Sequence, residues 1–396
     1  MNILRLGSAL ALSVLIALAS CGGGGSGGGG GIGGTGAQGT LRLAITDAPS
    51  CGYDAVNITI EKVRVHRSVD ALDSDAGWSD IVLSPARRID LLTLSNGVLQ
   101  ELGQTVLPAG RYTQLRLVLA ANGTVMPPPN SVIPTGAAET ALTTPSAQQS
   151  GIKLNADIDV ASGQVADFVL DFDACKSVVK RGNSGQYNLK PVINVIPRLS
   201  DAGMRVVGYV DVSIAGAGAL VSLQRNGVPV KSTSPDASGQ FVLYPVPAGT
   251  YDLVVTSSGH VTAVMTGIPV VLTGYTYVSS SAVAIAPPAA ASAPRAVTGT
   301  VTPPTATVRA LQTLTGGPTI ETAWAPVDAL TGAFALSLPI QAPVRAVYAA
   351  NPAALVFAPD AGAAGKYTVE AASAGALKTL PIDAGSAVPP LSFSFP

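Results

Sequence analysis

The stretch VNITIEKVRVHR, residues 56–67, alternates apolar and polar side chains, which indicates a β-strand with one buried face. The alternation changes phase near Glu61 and Lys62, and this change predicts a β-bulge. The preceding stretch GTLRLAITDAPS, residues 39–50, alternates in the same way. Because 43 glycines and 30 prolines interrupt the 396 residues, long helices are disfavoured, and the fold class that we expect is all-β.

The amino terminus, MNILRLGSALALSVLIALASC, has the pattern of an export signal. Arg5 precedes an apolar run, residues 6–18, that is shorter than the about 20 residues needed to cross a membrane. The run ends in LASC, which resembles a bacterial lipobox: a branched apolar residue, two small residues and then the nucleophilic thiol of Cys21. The alternative is an ordinary signal peptide with an incidental cysteine.

The lipobox predicts that residues 1–20 are a lipoprotein signal peptide and that Cys21 begins the mature chain with acyl groups such as palmitate. A membrane is then the partner of acylated Cys21, because several buried acyl chains anchor firmly. Gly22 follows the cysteine instead of Asp, which among proteobacterial lipoproteins implies the outer membrane of the cell envelope. Residues 21–38 are expected to be a flexible Gly-rich tether.

Two further cysteines, Cys51 and Cys175, lie in the mature chain. In an exported protein an even pair of cysteines is most simply a disulfide bond, and we expect these two to be joined. Two buried free thiols are the alternative.

The length of the chain and its net charge limit the number of domains and the kinds of partner that we expect. A chain of 396 residues predicts two or three domains. The net charge is −1 and no basic block is present, so nucleic acid is not an expected partner.

Four segments resemble, in order and spacing, a bacterial lipoprotein family catalogued as domain of unknown function 4382. They are TDAPSCGYDAVNITIEKVRVH (46–66), RIDLLTL (88–94), LPAGRYTQLRLVL (107–119) and DFDACKSVVKRGNSGQYNLKPVINV (171–195). The resemblance implies a β-rich extracytoplasmic domain, which we place at residues 39–200, with no established activity. Asp47 lies in a corner motif of that family, where we expect it to cap a turn. A role in ligand binding is the alternative for Asp47.

Residues 201–290 resemble a carboxypeptidase-regulatory-like, transthyretin-like β-sandwich. Its turns are Asn226-Gly227, SGQF (238–241) and PAGTY (247–251). Residues 291–396 look like a divergent copy, because VTGTV (297–301) matches VVGYV (206–210) and TGAF (331–334) matches SGQF at nearly the same offset. The Pro/Ala-rich stretch APPAAASAPRA between them predicts a semi-stiff spacer. The expected architecture is therefore three tandem β-sandwich-like domains after the signal peptide and tether.

No catalytic signature is recognisable. The motifs G-x-S-x-G and H-E-x-x-H are absent, and the two histidines, His66 and His260, lie in different predicted domains. We therefore expect no enzyme and no resident cofactor other than calcium. The two tryptophans, Trp78 and Trp324, are expected to pack in a core or loop, with a sugar-stacking platform as the alternative.

Calcium is considered because of two acidic pairs. Asp157 and Asp159, and likewise Asp171 and Asp173, are spaced by two residues, so each pair points to one face of a strand. Calcium binds six to eight oxygen ligands, which neighbouring carboxylates can supply in part. The alternative is that these side chains are solvated and protect the edges of β-sheets.

These features predict an extracytoplasmic lipoprotein that acts as a non-catalytic binding or structural module. A glycan or an envelope protein is the expected partner, and carbohydrate binding rests on analogy of fold alone. One alternative is an envelope hydrolase with paired aspartates, which requires two carboxylates across a groove. The other is a subunit of a surface-protein assembly that is engaged through an exposed β-edge.

Overall fold

The computed structural model describes residues 37–47, 52–144, 150–352 and 354–396. The predicted signal peptide, Cys21, nearly all of the tether and Cys51 lie outside the described residues. The all-β prediction is confirmed, because 54% of the residues are in strands and 5% in helices. No helix in the part of the chain that the structure describes is both long and apolar enough to cross a membrane.

The described residues of the first region form twelve strands, a short α-helix and a 3-10 helix. The strands are β1 (Gln38–Asp47), β2 (Tyr53–His66), β3 (Ser79–Asp90), β4 (Gln100–Pro108), β5 (Gly110–Leu119), β6 (Ser131–Pro134), β7 (Thr140–Thr143), β8 (Ile152–Val160), β9 (Val165–Phe172), β10 (Val178–Lys180), β11 (Tyr187–Leu189) and β12 (Ile193–Pro197). The helices are the 3-10 helix Leu91–Leu94 and α1 (Ala174–Ser177).

Two sheets enclose the core of the first region. One has the order β12-β9-β1-β4, and the other has the order β10-β11-β7-β6-β2-β5-β8 with β3 paired to β2. The inward side chains of β2, among them Ile58 and Val63, are buried in the shared hydrophobic cluster. The register of β2 shifts between Ile60 and Lys62 against both β3 and β5, which confirms the predicted bulge.

The middle region contains seven strands and the short helix α2 (Val212–Gly216). The strands are β13 (Arg205–Tyr209), β14 (Leu220–Arg225), β15 (Val228–Thr233), β16 (Gln240–Leu243), β17 (Gly249–Thr256), β18 (Ala263–Val270) and β19 (Tyr275–Tyr277). They form a sheet of order β16-β13-β19 and most of a second sheet that begins β15-β14-β17-β18.

In the third region, the residues that the structure describes form nine strands and the 3-10 helix Ala361–Ala363. The strands are β20 (Arg295–Thr302), β21 (Thr307–Thr313), β22 (Thr319–Ala325), β23 (Ala333–Leu338), β24 (Val344–Val347), β25 (Ala358–Pro359), β26 (Lys366–Ser373), β27 (Ala376–Asp383) and β28 (Leu391–Ser394). Two of its sheets have the orders β23-β20-β28 and β22-β21-β26-β27.

The internal repeat is visible in the strand pairing. β13 pairs antiparallel with β16 and parallel with β19, and β20 pairs in the same two ways with β23 and β28. Two equivalent glycines explain part of the sequence match. A Cβ on Gly208 would lie 2.4 Å from the Phe241 ring, and one on Gly299 would lie 2.5 Å from the Phe334 ring. Glycine is therefore needed on β13 and on β20 at the point where a phenylalanine ring lies against the strand.

The third region also differs from its counterpart by an insertion that reaches into the middle region. β24 pairs parallel with β18, and β25 pairs with β24, so both strands extend the sheet of the middle region. The predicted spacer is likewise hydrogen-bonded on both sides. The Ala290 amide donates to the Gly259 carbonyl, and the Ala291 amide donates to Gln341. The regions are therefore joined by contacts beyond the connecting chain, which the expected string of separate domains did not include.

Candidate functional site

A cavity of about 590 Å³ lies where the first, middle and third regions meet, and we call it the junction cavity. The first region contributes Tyr53 and the segment around α1, the middle region contributes β14, β15 and the end of β17, and the third region contributes β22. Its aromatic and charged or imidazole side chains are Tyr53, Asp173, Lys176, His260, Glu321 and Trp324.

The short helix α1 places two first-region side chains, Cys175 and Lys176, on the cavity wall. Asp173 begins this helix, because its carboxylate accepts a hydrogen bond from the Lys176 amide at 2.9 Å. Asp47, at the end of β1, accepts a hydrogen bond from the Ala174 amide at 2.9 Å. Two carboxylates thus fix the first turn. Burial raises the pKa of Asp173, and the nearby Lys176 charge opposes that shift.

Lys176 links the first region to the third region. Its Nζ lies 2.8 Å from Glu321 Oε1 and 4.7 Å from the centre of the Trp324 ring. The ammonium group therefore neutralises Glu321 and also makes a cation–π contact with Trp324. This pair of contacts fixes the half-buried Trp324 ring at the cavity wall.

Glu321 is the residue through which all three regions meet. Besides Lys176, its carboxylate contacts Arg309 at 3.3 Å, and Arg309 is held in turn by Glu370 at 2.6 Å. Its backbone exchanges two hydrogen bonds with the Gln224 side chain of β14, at 2.7 and 2.8 Å. The strand β22 is thus fixed to the middle region by two hydrogen bonds between the Glu321 backbone and the Gln224 side-chain amide.

Serine and threonine residues, alongside apolar ones, line much of the remaining wall. They are Ser222, Ser232, Ser234, Thr256, Ser257, Ser258, Ser292, Thr322 and Ser337. The Ser257 hydroxyl is buried and has no hydrogen-bond partner among the described residues. A wall with an aromatic ring and many hydroxyls can contact a polar ligand that also has an apolar face.

Of the four acidic residues grouped in two pairs by the sequence, one lies on the wall of the junction cavity. Asp173 lies at the junction cavity, whereas Asp171 is buried against Lys231 and is not part of the cavity wall. Asp157 and Asp159 are exposed on β8, where Asp157 pairs with Arg111 at 2.7 Å. No cluster of three or more His, Cys, Asp or Glu side chains suited to a metal occurs among the described residues. Calcium binding stays a prediction.

The other predicted residues are distributed as follows. Cys175 takes part in a disulfide, and Cys51 lies outside the described residues, so their pairing stays a prediction. His260 borders the junction cavity, where its Nδ1 lies 3.0 Å from the Ser258 carbonyl oxygen. His66 lies elsewhere, 5.0 Å from the Trp78 ring.

Lys176, Glu321 and Tyr53 were not singled out from the sequence. The buried Glu321 on β22 was the one available signal, because a charge on a buried position of a strand needs a partner. Nothing local to the sequence pairs it with a lysine 145 residues away.

Comparison with known families identifies part of the chain. Residues 38–191 match the family model described as Domain of unknown function (DUF4382). The DUF4382 region thus includes β1 to β11 and contributes Tyr53, Asp173 and Lys176 to the junction cavity. The sequence resemblance to this family is confirmed over those residues. The expected carboxypeptidase-regulatory-like character of the later regions stays a prediction.

No curated protein matches the chain. Two solved structures show a partial likeness, both of interface mutants of a type II cohesin–X-dockerin complex from Acetivibrio cellulolyticus. The sequence identities are 27% and 26%, with TM-scores of 0.20 and 0.19. Each match covers 23% of this chain and 61% of the other chain. Similarity at this level carries no functional inference.

Proposed function

We propose that this protein is a lipid-anchored extracytoplasmic binding module and that it binds carbohydrate in the junction cavity. The observation that carries the proposal is the composition of the cavity wall, which includes Trp324 and nine serine or threonine residues. Sugars have apolar C–H faces and hydroxyl edges, so an aromatic platform next to hydroxyls matches both. The volume of about 590 Å³ is within the range typical of small-molecule sites.

Binding is favoured over hydrolysis by the state of the carboxylates on the wall. Asp173 accepts the capping hydrogen bond of α1, and Glu321 is paired with Lys176 and Arg309. A hydrolase would need two carboxylates free to exchange protons with a substrate between them. Asp171, which forms one of the two spaced aspartate pairs with Asp173, contacts Lys231 instead.

The membrane anchor is part of the same proposal. Acylated Cys21 would hold the protein at the cell envelope, with the outer membrane as the expected site, and residues 22–36 would separate the described regions from the lipid. Substituting Cys21→Ala should move the protein from the membrane fraction to the soluble fraction or leave its signal peptide uncleaved. Recovery of the substituted protein, processed and still in membranes, would contradict lipid anchoring.

Ligand binding can be read from tryptophan fluorescence. The chain has two tryptophans, and Trp78 lies away from the cavity between Arg64 and Arg116, each 4.9 Å from its ring centre. A Trp78→Phe variant therefore leaves Trp324 as the single reporter. Titration with a panel of neutral and acidic oligosaccharides should give a saturable change in emission for at least one sugar.

Two matched variants complete this experiment. Calorimetry should show that Trp324→Ala abolishes sugar binding and that Trp78→Ala leaves it intact. The proposal fails if no sugar binds the wild-type protein or if both variants bind equally well. Chemical conversion of the bound sugar would instead support the hydrolase.

A second candidate, a subunit of a surface-protein assembly, is favoured by β27. This strand lies at the edge of its sheet and is largely exposed, with Leu377 among its exposed apolar side chains. An edge strand can pair with an extended segment of another protein. A Leu377→Lys variant should then lose a partner in crosslinking from intact cells. Unchanged crosslinks would contradict this second candidate.

A further inference from the structure

A lysine and an aspartate from different regions meet in the interior. Lys231, on β15 of the middle region, donates a hydrogen bond from its Nζ to Asp171 Oδ1, on β9 of the DUF4382 region. The side chain of Lys231 is 1% exposed and that of Asp171 is 7% exposed. The contact therefore connects two regions through groups that are removed from water.

If both groups are charged, few hydrogen bonds compensate for their removal from water. An ammonium group has three N–H donors, and Asp171 Oδ1 is the one acceptor for Lys231 among the described residues. Burial raises the pKa of Asp171, and the contact with Lys231 opposes that shift. Removing both charges from water is costly unless further hydrogen bonds satisfy them. Conversion of the two groups to an uncharged product would remove this cost.

A second buried carboxyl group, that of Asp47, lies close enough to Lys231 for the lysine charge to oppose the rise in the pKa of Asp47. Asp47 is 1% exposed, and its Oδ2 has no hydrogen-bond partner among the described residues. Burial, as the largest cause, raises the pKa of Asp47 well above its ordinary value. Asp173 is directed to the first turn of α1 and to Lys176.

We propose that Lys231 and Asp171 condense to an isopeptide bond that joins the DUF4382 region covalently to the middle region. A proton moves from Nζ to the carboxylate, and the neutral amine then attacks Cγ of the carboxylic acid. One N–C bond forms, one C–O bond breaks, and the oxygen leaves with two protons as water. No oxidant, reductant or other reactant is needed. The product has a single N–H donor and no charge, which suits a buried position.

The test is the mass of the reduced mature protein. Purified full-length wild-type protein should be lighter, by the mass of one water molecule, than its sequence and acyl chains require. Trypsin should fail to cleave after Lys231, and peptide sequencing should recover a branched peptide that contains both Lys231 and Asp171. Prior reduction ensures that the disulfide of Cys175 cannot join the same peptides.

A matched variant separates the bond from the ion pair. Lys231→Arg keeps the positive charge, but its guanidinium is not a nucleophile under these conditions, so this variant should have the full mass. Comparing the two proteins also removes any uncertainty about acyl composition, which they share. The full mass for the wild-type protein, with normal cleavage after Lys231, would overturn the proposal. A loss of water that maps to another residue, such as a cyclised aspartate, would overturn it as well. Neither result depends on whether the junction cavity binds a ligand.

Discussion

Removing the carboxylate of Glu321 should destabilise the protein more than removing any exposed acidic residue. Its side chain is 7% exposed and contacts Lys176 and Arg309, which are 16% and 22% exposed. Removing one member of a fully buried ion pair costs about 3–5 kcal/mol, because a buried charge is left unpaired. Here both cations retain some water, and Arg309 keeps Glu370. We therefore expect Glu321→Ala to lower the free energy of unfolding by about 2–3 kcal/mol.

Urea unfolding monitored by circular dichroism measures this loss. The matched control is Asp157→Ala, which breaks the pair with Arg111, whose side chains are 74% and 67% exposed. Exposed pairs contribute about 0–1 kcal/mol, so this control should unfold near the wild-type urea concentration. A double variant with methionine at both Glu321 and Lys176 should recover part of the lost stability, since no unpaired lysine remains. Equal losses for Glu321→Ala and Asp157→Ala would refute the central role assigned to Glu321.

Two further predictions concern single positions. Burial raises the pKa of Asp47 in the folded protein above its value in the unfolded chain. The stability that Asp47 contributes is therefore greatest below about pH 4. It declines as the pH rises toward the folded-state pKa, by at most ~1.4 kcal/mol per pH unit. Asp47→Asn should flatten this decline in urea titrations at several pH values; an unchanged slope would contradict the assignment. Gly239→Ala should cost about 1–3 kcal/mol, because its φ is +82° and a Cβ would lie 2.1 Å from the Val210 carbonyl oxygen. Gly259→Ala is the control, with a similar φ of +73° and no atom within 4 Å of its Cβ, and equal melting temperatures for the two variants would count against this steric account.

The local pattern of the sequence contained most of the information about the strands. The period of two in residues 56–67 and its change of phase at Glu61 predicted both β2 and its bulge, because burial of one face fixes the register. The match of VTGTV to VVGYV predicted a repeat, and β13 and β20 do have equivalent strand partners. The match has a steric reason. Gly208 and Gly299 are each needed where an aromatic ring lies against the first strand.

The junction cavity could not be predicted in the same way. Its wall joins Lys176, Gln224 and Trp324, which come from three regions, and no periodic pattern records contacts between regions. The acidic pairs show that residue spacing can also suggest a site that the structure does not form. Asp171 and Asp173 share a spacing that suggests one site, yet β9 ends between them at Phe172. Asp173 therefore caps a helix, and its side chain need not follow the alternation of the strand.

The insertion in the third region explains how that region is held against the middle region. In the middle region the Tyr251 hydroxyl donates to the Pro247 carbonyl at 2.7 Å, across the Pro-Ala-Gly-Thr-Tyr turn. In the third region the Tyr367 hydroxyl donates to the Pro339 carbonyl at 2.6 Å, although the insertion separates the two residues in sequence. The ends of the inserted segment thus remain together, and the repeat can accept it without losing its own sheets. The segment is then free to form β24, which pairs with β18. This pairing adds to the two hydrogen bonds by which Gln224 of the middle region already holds Glu321 on β22.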